Sequence, residues 1–225
     1  ATFFPSLNPL DFAQEGIRVE LDEDGKPQYK GIVFNEMKGA MSGEIDQLYH
    51  SLARHLFPTT TYHYNSGGEP AAITELTHAD LVKFHHSHYH PSNAVVMSFG
   101  NIPVAETQAR IHDDALAVAG KAFGKGQKHA SRLEQALSAP VAVTERYHVD
   151  SVKPKQTHHV MAWLLPSILD GKQRLAMRLL EGVLVEHAGS PLRAYLDSHP
   201  LASAPTPLLG LDDSHYQMVF YAGVR

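Results

Sequence analysis

The chain has 225 residues, 43% of them hydrophobic, which suffices for one large domain or two modest ones with real cores and argues against disorder. Its net charge of -5 and lack of a basic stripe argue against nucleic-acid binding and leave peptides, basic ones above all, as partners. With no cysteine there is no disulfide scaffold and no thiolate metal site, so any metal here needs His, Asp or Glu ligands.

In chain order, "GIRVEL" at 16–21 predicts a strand, and "DEDGKPQ" after it is Asp-Gly and Pro turn chemistry. A helix follows through "GIVFNEMKGAMSG". On it Glu36 shares a stripe, at spacings of three and four, with Ile32, Val33, Gly39, Ala40 and Gly43. A face of apolar and very small residues is usually buried, and a buried carboxylate is costly unless a cation or donors meet it. From the stripe alone Glu36 is a metal ligand, a partner of an arginine such as Arg54, or an outward-facing charge. Ile45, Leu48, Leu52 and Leu56 predict a second helix that stops at Pro58, and Glu44 at its start is expected to be solvated or helped by the helix dipole.

"TTTYHYNSGGEP" is expected as a loop. It lacks the pattern of a phosphate loop, and no Gly-x-Ser-x-Gly occurs anywhere in the chain. Thr77 and Asp80 form a cap pattern before "LVKFHHSHYH", which ends ahead of Pro91. "AVVMSFG" at 94–100 is expected as a buried strand, and Pro103 opens the helix "VAETQARIHDDALAVA". A Gly-, Lys- and Ser-rich change of composition places a linker at 126–138, between domains at 1–125 and 139–225. Beyond it "HHVMAWLL" predicts a strand, Asp170 caps an amphipathic helix with Leu175, Leu179, Leu180, Val183 and Leu184, Ser190 and Pro191 open another helix, and "YQMVFYAGV" alternates as a strand. No apolar run approaches the roughly 18 residues of a membrane span, so no membrane partner is expected.

Taken together, "YKGIVFNEMKGAMS", "NSGGEP", "ELTHADLVKFHHSHYHPSNAVVMSFGN" and "HAGSPLRAYL" resemble the presequence protease branch of the insulinase and pitrilysin metallopeptidases. The blocks stand in order over most of the chain. The resemblance implies an α+β fold of two-layer domains, helices on mainly antiparallel sheets. It also implies Zn2+ bound by an inverted His-x-x-Glu-His motif and by a glutamate on a later helix, a position that Glu36 matches. It implies a metalloendopeptidase for unfolded, presequence-like oligopeptides.

The departure from the pattern is plain: His-x-x-Glu-His is absent from these 225 residues. The chain is therefore expected to be an internal fragment, with the back half of a first, zinc-binding domain and the front half of a non-catalytic sister domain. Such a fragment holds no catalytic residue, is inactive alone, and can self-associate through unfinished sheet edges. The alternative is a non-catalytic scaffold or peptide-binding subunit of the same superfamily. The compartment expected is cytoplasmic, with an organelle matrix or the periplasm as alternatives. His86 and His90, at i and i+4, could hold a metal, although a structural role fits the helix end better. Residues 183–187, "VLVEH", resemble the tail of the inverted motif, but Val183 stands where its first histidine belongs.

Overall fold

The computed structural model describes residues 2–122, 132–149, 151 and 156–225, so residues 126–131 of the expected linker lie outside the described residues. Residues 132–138 carry no helix or strand. The chain divides into two compact units, Ala1–Glu36 with Pro70–Ala130, and Met37–Glu69 with Ser131–Arg225.

In the first unit the side chain of Asn8 accepts from the Leu10 N–H and starts the short helix α1 (Pro9–Asp11). Strands β1 (Arg18–Leu21) and β2 (Pro27–Lys30) pair antiparallel as a hairpin, Arg18 opposite Lys30 and Leu21 opposite Pro27. Its turn is built by the Asp22 carboxylate, which accepts from the Asp24 and Lys26 N–H groups, with Gly25 at φ 78°. Helix α2 (Ile32–Ala40) follows, and the division between the units falls within it, between Glu36 and Met37.

In the second unit α3 (Glu44–Leu56) continues the chain after Gly43. Back in the first unit come α4 (Pro70–Ile73) and α5 (His78–His88). A complete capping box opens α5: the Thr77 hydroxyl accepts from the Asp80 N–H while the Asp80 carboxylate accepts from the Thr77 N–H. Helix α6 (Val104–Ile111) runs through a π-turn at His112–Leu116 into α7 (Ala117–Ala122).

The expected strand at 94–100 does not form. Val95, Met97 and Phe99 are 96%, 89% and 101% exposed, and no strand pairs with them among the described residues. Apolar composition favours a strand only where a neighbouring edge supplies hydrogen bonds and a layer covers the face. Neither is present here.

The second unit is a helix-covered sheet. Strands β3 (His159–Ser167), β4 (Gly210–Asp212) and β5 (Gln217–Val224) form an antiparallel sheet in the order β3-β5-β4. The core joins Ala53, Leu56 and Phe57, at the end of α3, to Val219 and Tyr221 of β5, with Leu52, Tyr62, Val160, Ala162 and Leu164 packed around them. The fold is α+β, with helices packed on small antiparallel sheets.

Asp170 caps α8 (Gly171–Val185) by accepting from the Lys172 and Gln173 N–H groups, and α9 (Pro191–Asp197) follows Ser190. Helix α8 turns Glu181 and Val185 inward. The Glu181 carboxylate accepts from the Leu211 N–H at 2.6 Å and so occupies the outer edge of β4. Most of the apolar stripe of this amphipathic helix is exposed: Leu175, Leu179, Leu180 and Val183 are 61%, 65%, 47% and 62% accessible, and only Leu184 is half-buried. Periodicity reveals that a helix has an apolar face, but only a facing layer buries it.

Gly223 faces Val160 across the sheet, where an added Cβ would lie 2.1 Å from the His159 carbonyl oxygen and 2.8 Å from the Val160 Cα. Both neighbours are backbone and cannot swing away. Gly223→Ala should therefore push β3 and β5 apart and cost about 2–3 kcal/mol, read as a lower urea midpoint. An unchanged midpoint would contradict this register.

Candidate functional site

Glu36 lies in the middle of α2, where Phe34 is the buried residue. The stripe expected to be buried is open instead. Ile32 and Val33 are 53% and 39% exposed, and Glu36, Gly39 and Ala40 are exposed with them. Glu36 makes no hydrogen bond or ion pair among the described residues. It is a free carboxylate on an uncovered face of small and apolar side chains.

A zinc site takes at least three protein ligands, and no group of three His, Asp or Glu suited to a metal occurs among the described residues. The described residues alone therefore do not fit the ion.

The other sequence candidates have structural employment. His90 lies beyond the end of α5 and caps the turn Pro91–Asn93, accepting from the Ser92 N–H, so it does not share a helix face with His86. His85 is buried, stacks on Tyr89 and bonds the Thr2 carbonyl oxygen through Nε2 at 2.9 Å. Glu44 is not simply solvated as expected: it accepts from Arg225 Nη1 at 2.9 Å, with His158 Nε2 3.9 Å away. Glu186 and His187 of the "VLVEH" segment are exposed.

The second unit brings together a constellation that the sequence reading missed. Asp212, the last residue of β4, opens a tight turn in which its Oδ1 accepts from both the N–H and the hydroxyl of Ser214, at 2.9 and 2.6 Å. The turn presents His215, whose Nδ1 stands 3.5 Å from Asp212 Oδ2 and whose Nε2 is 3.2 Å from the Tyr49 hydroxyl. Phe57 stacks on the imidazole at 5.2 Å, and Tyr62 meets it edge-on at 4.6 Å.

His215 beside it, more than burial opposes, holds the Asp212 carboxyl well below its ordinary value. Burial, reinforced by the Asp212 charge, pushes the Tyr49 hydroxyl up to about 12. Burial also raises Tyr221. At neutral pH the arrangement is thus an ionised acid, an oriented imidazole and two protonated phenols. A phenol kept protonated is a hydrogen-bonding group rather than a nucleophile. The signals for this cluster were present: Tyr49 lies at helical spacing with Ala53 and Leu56, and Asp-x-Ser before a strand is Asx-turn chemistry.

The family description "Peptidase M16 inactive domain" matches residues 75–221, well over half of the chain. The chain belongs to the M16 peptidase family. Glu36 lies outside that matched stretch. Over its whole length this M16 chain is 34% identical to the mitochondrial presequence proteases of Mus musculus, Xenopus laevis and Yarrowia lipolytica. It spans only 22%, 22% and 23% of their lengths.

Because the Asp212 carboxyl is lowered in the fold, its contribution is full above the ordinary aspartate value of 3.8 and is lost as pH falls toward the lower folded value. Asp212→Asn should cost about 1 kcal/mol near neutral pH, a modest figure because the side chain keeps some solvent contact. The gap between variant and parent should close below about pH 4 in denaturant titrations. A gap that widens on acidification would contradict the assignment.

Proposed function

We propose that this chain is a segment of a zinc-dependent metalloendopeptidase that degrades unfolded, presequence-like oligopeptides, and that Glu36 supplies its third protein ligand to the metal. The observation that carries the reading is the 34% identity to presequence proteases across all 225 residues. Residues 1–125 would be the back half of the zinc-binding domain, 126–138 a linker, and 139–225 the front half of the metal-free sister domain.

The uncovered Glu36 face, the unpaired segment 94–100 and the open leucine stripe of α8 support a larger assembly. Each is an apolar surface that a longer chain could cover, and the relatives are more than four times as long. The scaffold alternative finds no support in those relatives, which are named as proteases. Their mitochondrial designation favours an organelle matrix over the cytoplasmic compartment.

When bound, zinc in such a site polarises a scissile carbonyl and acidifies a coordinated water. This chain's part is a negative charge and an oxygen donor at Glu36, placed where Gly39 and Ala40 leave room for a second helix to approach. No residue of this segment is assigned to proton transfer. Self-association of the segment alone would run through the outer edge of β3, where Met161 and Trp163 are exposed, since Glu181 already occupies the edge of β4.

Two outcomes are expected. The isolated 225 residues should show no chelator-sensitive hydrolysis of a fluorogenic peptide, because one carboxylate cannot retain catalytic zinc. In the full-length protein Glu36→Gln should lower zinc content and turnover together, by tenfold or more, a span of about 10–100-fold being usual even for residues that only support a ligand. Full zinc occupancy with normal turnover in that variant would end the ligand assignment.

A further inference from the structure

We propose that the cavity beside Asp212 is a binding site for a basic side chain, the lysine or arginine of a bound peptide. The cavity has a volume of about 280 Å³. Drug-sized ligands occupy pockets of about 300–1,000 Å³, so this one suits a single side chain. The proposal rests on the reading that peptides are what the protein handles, and its test reads binding alone.

Three residues with polar side chains are among those that line it: Asp212, Tyr49 and Tyr221. Tyr221 is 2% exposed, and its hydroxyl is buried with no hydrogen-bond partner among the described residues. An unmet buried hydroxyl costs about 1–3 kcal/mol and is rare in native folds. The His215 ring links Tyr49 to Asp212, its Nε2 3.2 Å from the Tyr49 hydroxyl and its Nδ1 3.5 Å from Asp212 Oδ2. Asp212 also has capacity left. A carboxylate offers about four acceptor positions, and Ser214 takes two of them on Oδ1, while the His215 contact with Oδ2 is long at 3.5 Å.

The rest of the lining selects the ligand. Pro207, Leu208 and Leu209 form an apolar wall, which suits the methylene stem of lysine or arginine. An anionic group would meet the Asp212 charge without compensation, and an apolar group would leave Tyr221 unmet. A cationic head satisfies both, since it donates to carboxylate and phenol oxygens and is attracted to aromatic faces. Strand addition at β4 is not open, because the Leu211 N–H already bonds Glu181. Recognition here therefore runs through a side chain rather than through backbone pairing.

The test titrates the full-length protein, with its tyrosine rings labelled for NMR, using Nα-acetyl-lysine amide and the uncharged isostere Nα-acetyl-norleucine amide. The lysine compound should shift the Tyr49 and Tyr221 signals saturably, and the norleucine compound should bind at least about tenfold more weakly, the factor that one charge-assisted contact supplies. Asp212→Asn, which keeps the turn acceptor, should weaken lysine binding by about tenfold, and Tyr221→Phe, which removes one buried oxygen, by several-fold. Equal binding of the two compounds, absence of a saturable shift, or affinity unchanged in both variants would each overturn the proposal. Any of these would leave the zinc-ligand reading intact, because that reading is judged by metal content and turnover.

Discussion

Strand β5 is hydrogen-bonded along both edges, and Met218, Val219, Tyr221 and Ala222 are each no more than 2% exposed. A short central strand buried on both faces fixes the positions of its neighbours, because every backbone group and side chain on it must be met from some direction. Helix α3 meets one face with Ala53, Leu56 and Phe57. Close approach to β3 requires Gly223, and on the other side β4 is so short that a carboxylate from α8 finishes its outer edge. The Asp212 turn, held between β4 and β5, is therefore rigid. Its His215 lands against the aromatic side chains that close the core.

The first unit poses the opposite problem. Its part of α2 buries Phe34 but leaves Ile32, Val33 and Glu36 exposed, and the apolar segment at 94–100 pairs with no strand among the described residues. An exposed glutamate on such a face gains nothing from the residues around it. Under the function proposed above, a second helix with further ligands would close over it, and a cation would join the two surfaces.

Legibility in the sequence followed the range of the interaction. Elements set by local chemistry were readable: the Thr77–Asp80 capping box, the Asp170 cap, the Asp-Gly hairpin turn and the strand at the end of the chain all stand where their residues place them, although that strand is buried on both faces rather than alternating. Elements that depend on a partner were not. The pattern of "AVVMSFG" is that of a strand, yet pairing decides whether it becomes one, and the leucines of α8 are exposed for the same reason. The Asp212, His215 and Tyr49 cluster escaped because Tyr49 and His215 are 166 positions apart, and one tyrosine on an apolar helix face reads as core. Glu36 was singled out by its stripe and by the motif around it, but the burial that first made it conspicuous is not found among the described residues.

The most direct test is an anomalous-scattering map at the zinc edge, recorded from crystals of the full-length protein. A peak within about 2.0–2.2 Å of a Glu36 carboxylate oxygen, shared with two histidines from another helix, is the result this account predicts. A zinc peak with a complete protein ligand set that excludes Glu36, while its carboxylate faces solvent, would contradict it.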